Sequence, residues 1–129
     1  MNDLEDSIVR MSWDRTIRLG DLISSWVEHV GRLEADAFDY RGTFAWVADD
    51  LIGALYLRDI LERALAALEP ADRARIQPRV LAADEAFLSF TEDDVSGLVR
   101  AFAGRTEQET DWWWGRVPRE GRIRDELEE

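Results

Sequence analysis

An all-α fold, built as a single-domain bundle of four to five helices, is the class that three features of this sequence predict. Apolar residues recur three and four apart from Trp13 to Phe102. Residues 43–68 contain no proline and are enough for a helix of roughly 39 Å, which would cross a small domain. Short polar segments carrying Gly42, Pro70 or Gly104 separate the apolar runs. No catalytic signature accompanies the pattern, so the sequence speaks to architecture more strongly than to activity.

Residues 1–12 mix Leu4, Ile8, Val9 and Met11 with acids and are read as a short helix or an extended arm. Trp13, Ile17, Leu22, Ile23, Trp26, Val27, Val30 and Leu33 then predict a helix over residues 14–36, which Gly20 and Gly31 do not interrupt. After a polar segment, Thr43 is the expected N-cap of a central helix over residues 43–68, antiparallel to the first. On a helical projection Phe44, Val47, Ala48, Leu51, Ile52 and Leu55 share one side. Leu57, Ile60, Ala64 and Leu68 share the opposite one, with Leu61 and Leu65 at its margin. The buried face therefore changes near Tyr56: either different partners cover the two halves, or the helix breaks near Gly53. The absence of proline favours continuity. Arg58 with Glu62 and Asp59 with Arg63 stand at i,i+4 spacing on the side expected to face water.

Pro70 and Asp72 suit the first turn of a third helix. Pro78 predicts a break or kink at Gln77, after which Val80, Leu81, Ala83, Phe87, Leu88 and Phe90 face the core. Thr91 and Asp94 have the spacing of a capping box for a helix reaching Ala103, with Gly104 as its stop. The segment 105–129, rich in Trp and Arg, turns at Gly115, Pro118 and Gly121, ends in a short helix and is expected to pack on the bundle.

A hydrophobic content of 46% in 129 residues supplies one core and argues against disorder. The 28 acids outnumber 16 basic residues for a net charge of −12, spread along the chain. That balance opposes nucleic acid and anionic membranes as partners and favours a protein with a basic surface. No cysteine is present, which removes disulfides and thiolate chemistry. All 16 basic residues are arginine, which removes Schiff-base lysines. Arginine without lysine in an Ala- and Leu-rich chain fits a high-GC bacterial genome. The acidic start and the lack of a long apolar run predict a cytoplasmic protein.

Four features compete as sites. His29, the only histidine, lacks companions for a metal or an acid-base pair and is read as structural. Asp49 and Asp50 project to the polar side of the central helix. Asp36 with Asp39, and Asp59 with Glu62, form acid-x-x-acid pairs on consecutive elements. This arrangement resembles the carboxylates of all-helical nucleotide pyrophosphohydrolases, and the resemblance implies Mg²⁺ held between facing helices. Trp112, Trp113 and Trp114 cannot share one face of a helix or strand, so at least one ring is expected to be partly exposed unless the C-terminal tail folds over it and closes the cluster into the core. Beside them lie two acidic patches, Glu92, Asp93 and Asp94, and Glu107, Glu109 and Asp111, while Arg116, Arg119, Arg122 and Arg124 follow. The arginines either clamp the tail to its own acidic body or, with the indoles, form a binding surface.

The reading adopted is a small acidic interaction module, monomer or homodimer, that binds or occludes a basic partner. Immunity proteins and antitoxins share this profile by analogy. Glu92, Asp93, Asp94, Glu107, Glu109, Asp111 and Trp112 to Trp114 are its expected contacts. No catalytic residue, cofactor or metal is assigned. The alternatives are the metal-dependent pyrophosphohydrolase-like enzyme and a ligand-binding regulatory module lined by the tryptophans.

Overall fold

The computed structural model describes residues 4–38 and 46–129. Helical residues account for 69% of them, but two small antiparallel sheets correct the all-α expectation. A 3₁₀ turn at Leu4–Asp6 leads into strands β1 (Ile8–Ser12) and β2 (Arg15–Arg18), which form a hairpin. Three long helices follow: α1 (Leu19–Phe38), α2 (Ala48–Ala66) and α3 (Pro70–Phe90). Strand β3 (Thr91–Asp93), helix α4 (Leu98–Ala103), 3₁₀ turns at Glu107–Glu109 and Trp112–Gly115, strand β4 (Arg116–Pro118) and helix α5 (Arg122–Leu127) complete the chain.

The hairpin replaces the first turns of the expected helix. Trp13 and Ile17 match helical spacing, but Ile8, Val9, Thr16 and Ile17 are β-branched and Val9 stands opposite Ile17 across the ladder. Ser12 Oγ donates to Asp14 Oδ1 at 3.0 Å and Arg10 Nη1 donates to the Trp13 carbonyl at 3.2 Å, which closes the turn. Trp13 is left 85% exposed at the tip. From Leu19 the helical period takes over. Leu19, Leu22, Ile23, Trp26, Val30, Leu33 and Ala37 form the buried stripe of α1, and Val27 lies outside it.

Helix α2 is continuous through Gly53, yet its buried face does not change at Tyr56. Leu51, Ala54, Leu55, Arg58, Leu61 and Leu65 make one unbroken stripe, and the side expected for the second half, Leu57, Ile60, Ala64 and Leu68, is only half-buried. Arg58 sits in the middle of the stripe at 4% exposure, so the arginine placed at the water-facing side is a core residue. The expected cap Thr43 lies outside the described residues. The helix begins after Val47, whose N–H donates to Asp50 Oδ2 at 2.8 Å.

Helix α3 also runs continuously through Pro78, so of the break or kink expected at Gln77 the break does not occur. Pro78 and Ala74 are both exposed, so water can serve the carbonyl that the proline leaves without an amide. Ile76, Val80, Ala83, Phe87 and Phe90 bury a face that spans the proline, while Leu81 and Leu88 are exposed rather than core. Thr91 does not cap α4. It pairs in β3 with β4, and its Oγ1 donates to the Phe87 carbonyl at 2.7 Å. Gly97 is the N-cap of α4, and Asp94 supplies the carboxylate that a glycine lacks, accepting from the N–H groups of Leu98 at 3.0 Å and Val99 at 2.8 Å. Gly104 ends α4 in the left-handed region with φ 70°. In the segment 105–129, Trp113, Trp114, Val117, Ile123 and Leu127 belong to the same core cluster as residues of α1, α2 and α3.

Candidate recognition surface

Two adjacent charged residues of α2 organise the approach of α3 and of the tryptophan segment. Arg58 makes a two-pronged contact with Asp84 of α3, Nε to Oδ1 at 2.9 Å and Nη2 to Oδ2 at 2.9 Å. Trp26 Nε1 of α1 donates to the same Oδ1 at 3.0 Å, so one carboxylate ties three helices together. Glu62 accepts from Arg58 at 3.2 Å and from Arg73 at 3.2 Å, and the Arg58 guanidinium lies 4.3 Å from the centre of the Trp113 ring. Burial works against the Arg58 charge, yet Asp84 and Glu62 together outweigh it and hold its pKa above the ordinary arginine value.

Asp59, the next residue, receives the tail. Trp113 Nε1 and Trp114 Nε1 both donate to its Oδ1, at 2.8 and 3.0 Å, and Arg105 Nη1 donates to Oδ2 at 2.9 Å. Arg105 also covers the Trp114 ring at 4.8 Å and bonds the Glu109 carbonyl at 3.0 Å. The expected Asp59–Arg63 pair is thereby displaced. Two indoles and an arginine from a segment 46 to 55 residues away in sequence take the carboxylate instead.

Of the three tryptophans the structure puts one at the surface. Trp112 is 40% exposed, whereas Trp113 and Trp114 are buried at 1% and 0%, which removes them from the set of surface contacts expected for a partner. The two acidic patches also differ. Asp93 pairs with Arg116 at 2.8 Å, Glu92 with Arg124 at 3.3 Å, and Asp94 accepts from the first N–H groups of α4, so the tail arginines meet this patch from within. Arg116 further bonds the Thr91 carbonyl at 2.7 Å. For Arg124, burial opposes the charge, but Glu92 and Glu128 hold its pKa above the usual value. Glu107, Glu109 and Asp111 are exposed, and among the described residues none of them joins an ion pair.

An open cleft of about 420 Å³ lies between α2 and this segment, lined by Asp59, Glu62, Arg63, Arg105, Glu109, Asp111 and Trp113. Of the acid pairs, Asp59 and Glu62 have their oxygens turned to indoles and arginines. Asp36 accepts from Arg32 at 3.3 Å and from the Trp46 N–H at 2.6 Å, and Asp39 lies outside the described residues. No group of three His, Cys, Asp or Glu able to hold a metal occurs among the described residues. His29 bonds its own helix through the Ser25 carbonyl at 2.6 Å and packs on Trp46. No described helix is long and apolar enough to cross a membrane. The sequence reading missed Asp84 altogether; its signal was an acid at i+4 from Val80 and i−3 from Phe87, on the core face of a helix. Comparison with family models finds none that matches the chain, and comparisons with curated proteins and with solved structures find no match either.

Proposed function

We propose that this protein is a recognition module that binds a partner protein through a basic patch, and that it acts by covering that patch. The observation that carries the reading is the contrast within the tryptophan segment. Trp112, 40% exposed, follows in sequence the exposed acids Glu107, Glu109 and Asp111, which join no ion pair among the described residues, while Trp113 and Trp114 anchor the same segment to Asp59. A large aromatic ring on a segment held by buried neighbours loses little freedom on binding, which is what a recognition anchor requires. Acids preceding it on the same segment select a cationic surface and repel anionic ones. The patch at Glu92, Asp93 and Asp94 is secondary in this reading because arginines of the same chain already meet it. The reading assigns no chemical step, cofactor or metal, and a cytoplasmic, bacterial setting belongs to it as an expectation only.

The test uses immobilised full-length protein to capture a partner, with Trp112→Ala and Glu107→Arg/Asp111→Arg variants in parallel. A partner retained by the wild type and lost from both variants, with all three chains equally stable, supports the reading. Retention by both variants overturns it.

A further inference from the structure

We propose that the groove between β1 and the C-terminal half of α2 binds a small amphipathic carboxylate. Its aliphatic chain lies on Ile8, Val9, Ile60 and Leu68, and its carboxylate is held by Arg63 and Arg10. Arg63 also borders the cleft beside the tryptophan segment, so the test is kept distinct from the Trp112 reading by following the amides of Val9, Ile60 and Leu68.

Three observations converge on the groove. It encloses about 310 Å³, at the lower end of the range found for small-ligand sites, and its walls are mostly aliphatic. Ile8 is 66% exposed although it belongs to a strand, so the hairpin leaves apolar surface uncovered at the edge of the groove. The charged residues among its described lining are Arg10 and Arg63, with no acid, in a chain where acids outnumber bases 28 to 16. Arg63 is cationic without an ion-pair partner among the described residues for a reason internal to the fold. Trp113, Trp114 and Arg105 take Asp59, the acid that helical spacing would have given it. An apolar trough edged by two guanidinium groups that join no ion pair among the described residues complements a hydrocarbon chain ending in an anion. It disfavours a cationic amphiphile, which the rest of this acidic surface would attract.

The experiment titrates isotopically labelled full-length protein with hexanoate, octanoate, decanoate, octanol and octyltrimethylammonium, following backbone amide shifts below the micelle concentrations. Octanoate is expected to move the amides of Val9, Ile60 and Leu68 as one saturating set. Affinity should rise about threefold to fourfold per added methylene until the groove is filled, then level off. Octanol should bind several-fold more weakly and the ammonium compound not at all at this site. Arg63→Glu, at an exposed position that leaves folding intact, should weaken octanoate roughly tenfold by turning attraction into repulsion. Ile8→Asp should weaken it through a separate wall. Shifts scattered over the surface, equal binding of the ammonium compound, or an Arg63→Glu variant that binds octanoate as the wild type does each overturn the proposal. So does saturation of these amides by an acidic peptide such as tetraglutamate with no response to octanoate, which would assign the groove to a protein segment.

Discussion

Arg58 is the residue on which the interior depends most heavily. A guanidinium at 4% exposure is tolerable only because Asp84 receives it in two-pronged geometry, Glu62 takes a third N–H, and Trp113 covers its face. Removing one partner leaves the other charge buried with only part of its compensation, Glu62 for Arg58 or the Trp26 N–H for Asp84. Arg58→Ala is therefore expected to lower unfolding free energy by about 3 to 5 kcal/mol, and Asp84→Ala by a similar amount, read from urea melts. Replacing both, as Arg58→Met/Asp84→Leu, should cost markedly less than the sum, because a buried pair exchanged for apolar groups is often near neutral. Equal and additive losses would contradict this coupling. Because the Arg58 pKa is raised by folding, its share of stability is complete below the unfolded-state value and is lost only as pH rises through the folded one. Both lie far above neutrality, so this group adds no pH dependence between about pH 5 and 9.

Two elements carry local conflicts that tertiary packing overrides. Pro78 inside α3 removes one helical hydrogen bond, yet the helix is held straight through by the buried row from Ile76 to Phe90. Pro78→Ala restores the missing donor at an exposed position, and a gain of about 1 kcal/mol in a denaturant melt is expected. A loss would mean that the proline is required where it stands. Gly121 is the opposite case. It opens α5 with φ 105°, a conformation that glycine alone adopts readily, and an added Cβ would sit 3.1 Å from Ala37 Cα of α1. Backbone cannot yield there as a side-chain tip can. Gly121→Ala should destabilise by about 2 kcal/mol and loosen Ile123 and Leu127, which amide exchange in α5 would register.

For the molecule as a whole, the net charge of −12 governs how partners are met rather than how the chain folds. If a basic partner docks at Trp112, its association rate should fall as salt is raised from about 20 to 300 mM, with dissociation changing less. Stopped-flow mixing with the captured partner measures both rates. Glu107→Arg/Asp111→Arg should slow association more than Glu92→Arg/Asp93→Arg, since the latter acids are already met by Arg124 and Arg116. The reverse order would move the recognition surface to the β3 side.

The helical content, the uninterrupted central helix, the stop at Gly104 and the partial exposure of the tryptophan run were all legible from residue spacing, because period and punctuation are local properties. Spacing also misled where two local patterns overlapped. Residues 13–18 satisfy a helical period and a strand alternation at once, and pairing of Val9 with Ile17 decided for the hairpin. The stripe on α2 looked broken at Tyr56 because a projection counts an arginine as polar, and only Asp84, arriving from α3, makes Arg58 a core residue. The same holds for Asp59. Its neighbour along the helix is Arg63, but two indoles and Arg105 from the far end of the chain offer stronger and drier contacts. Which charges are buried, which are paired and which are left to face a partner is set by contacts distant in sequence, and these exist only once the chain has folded.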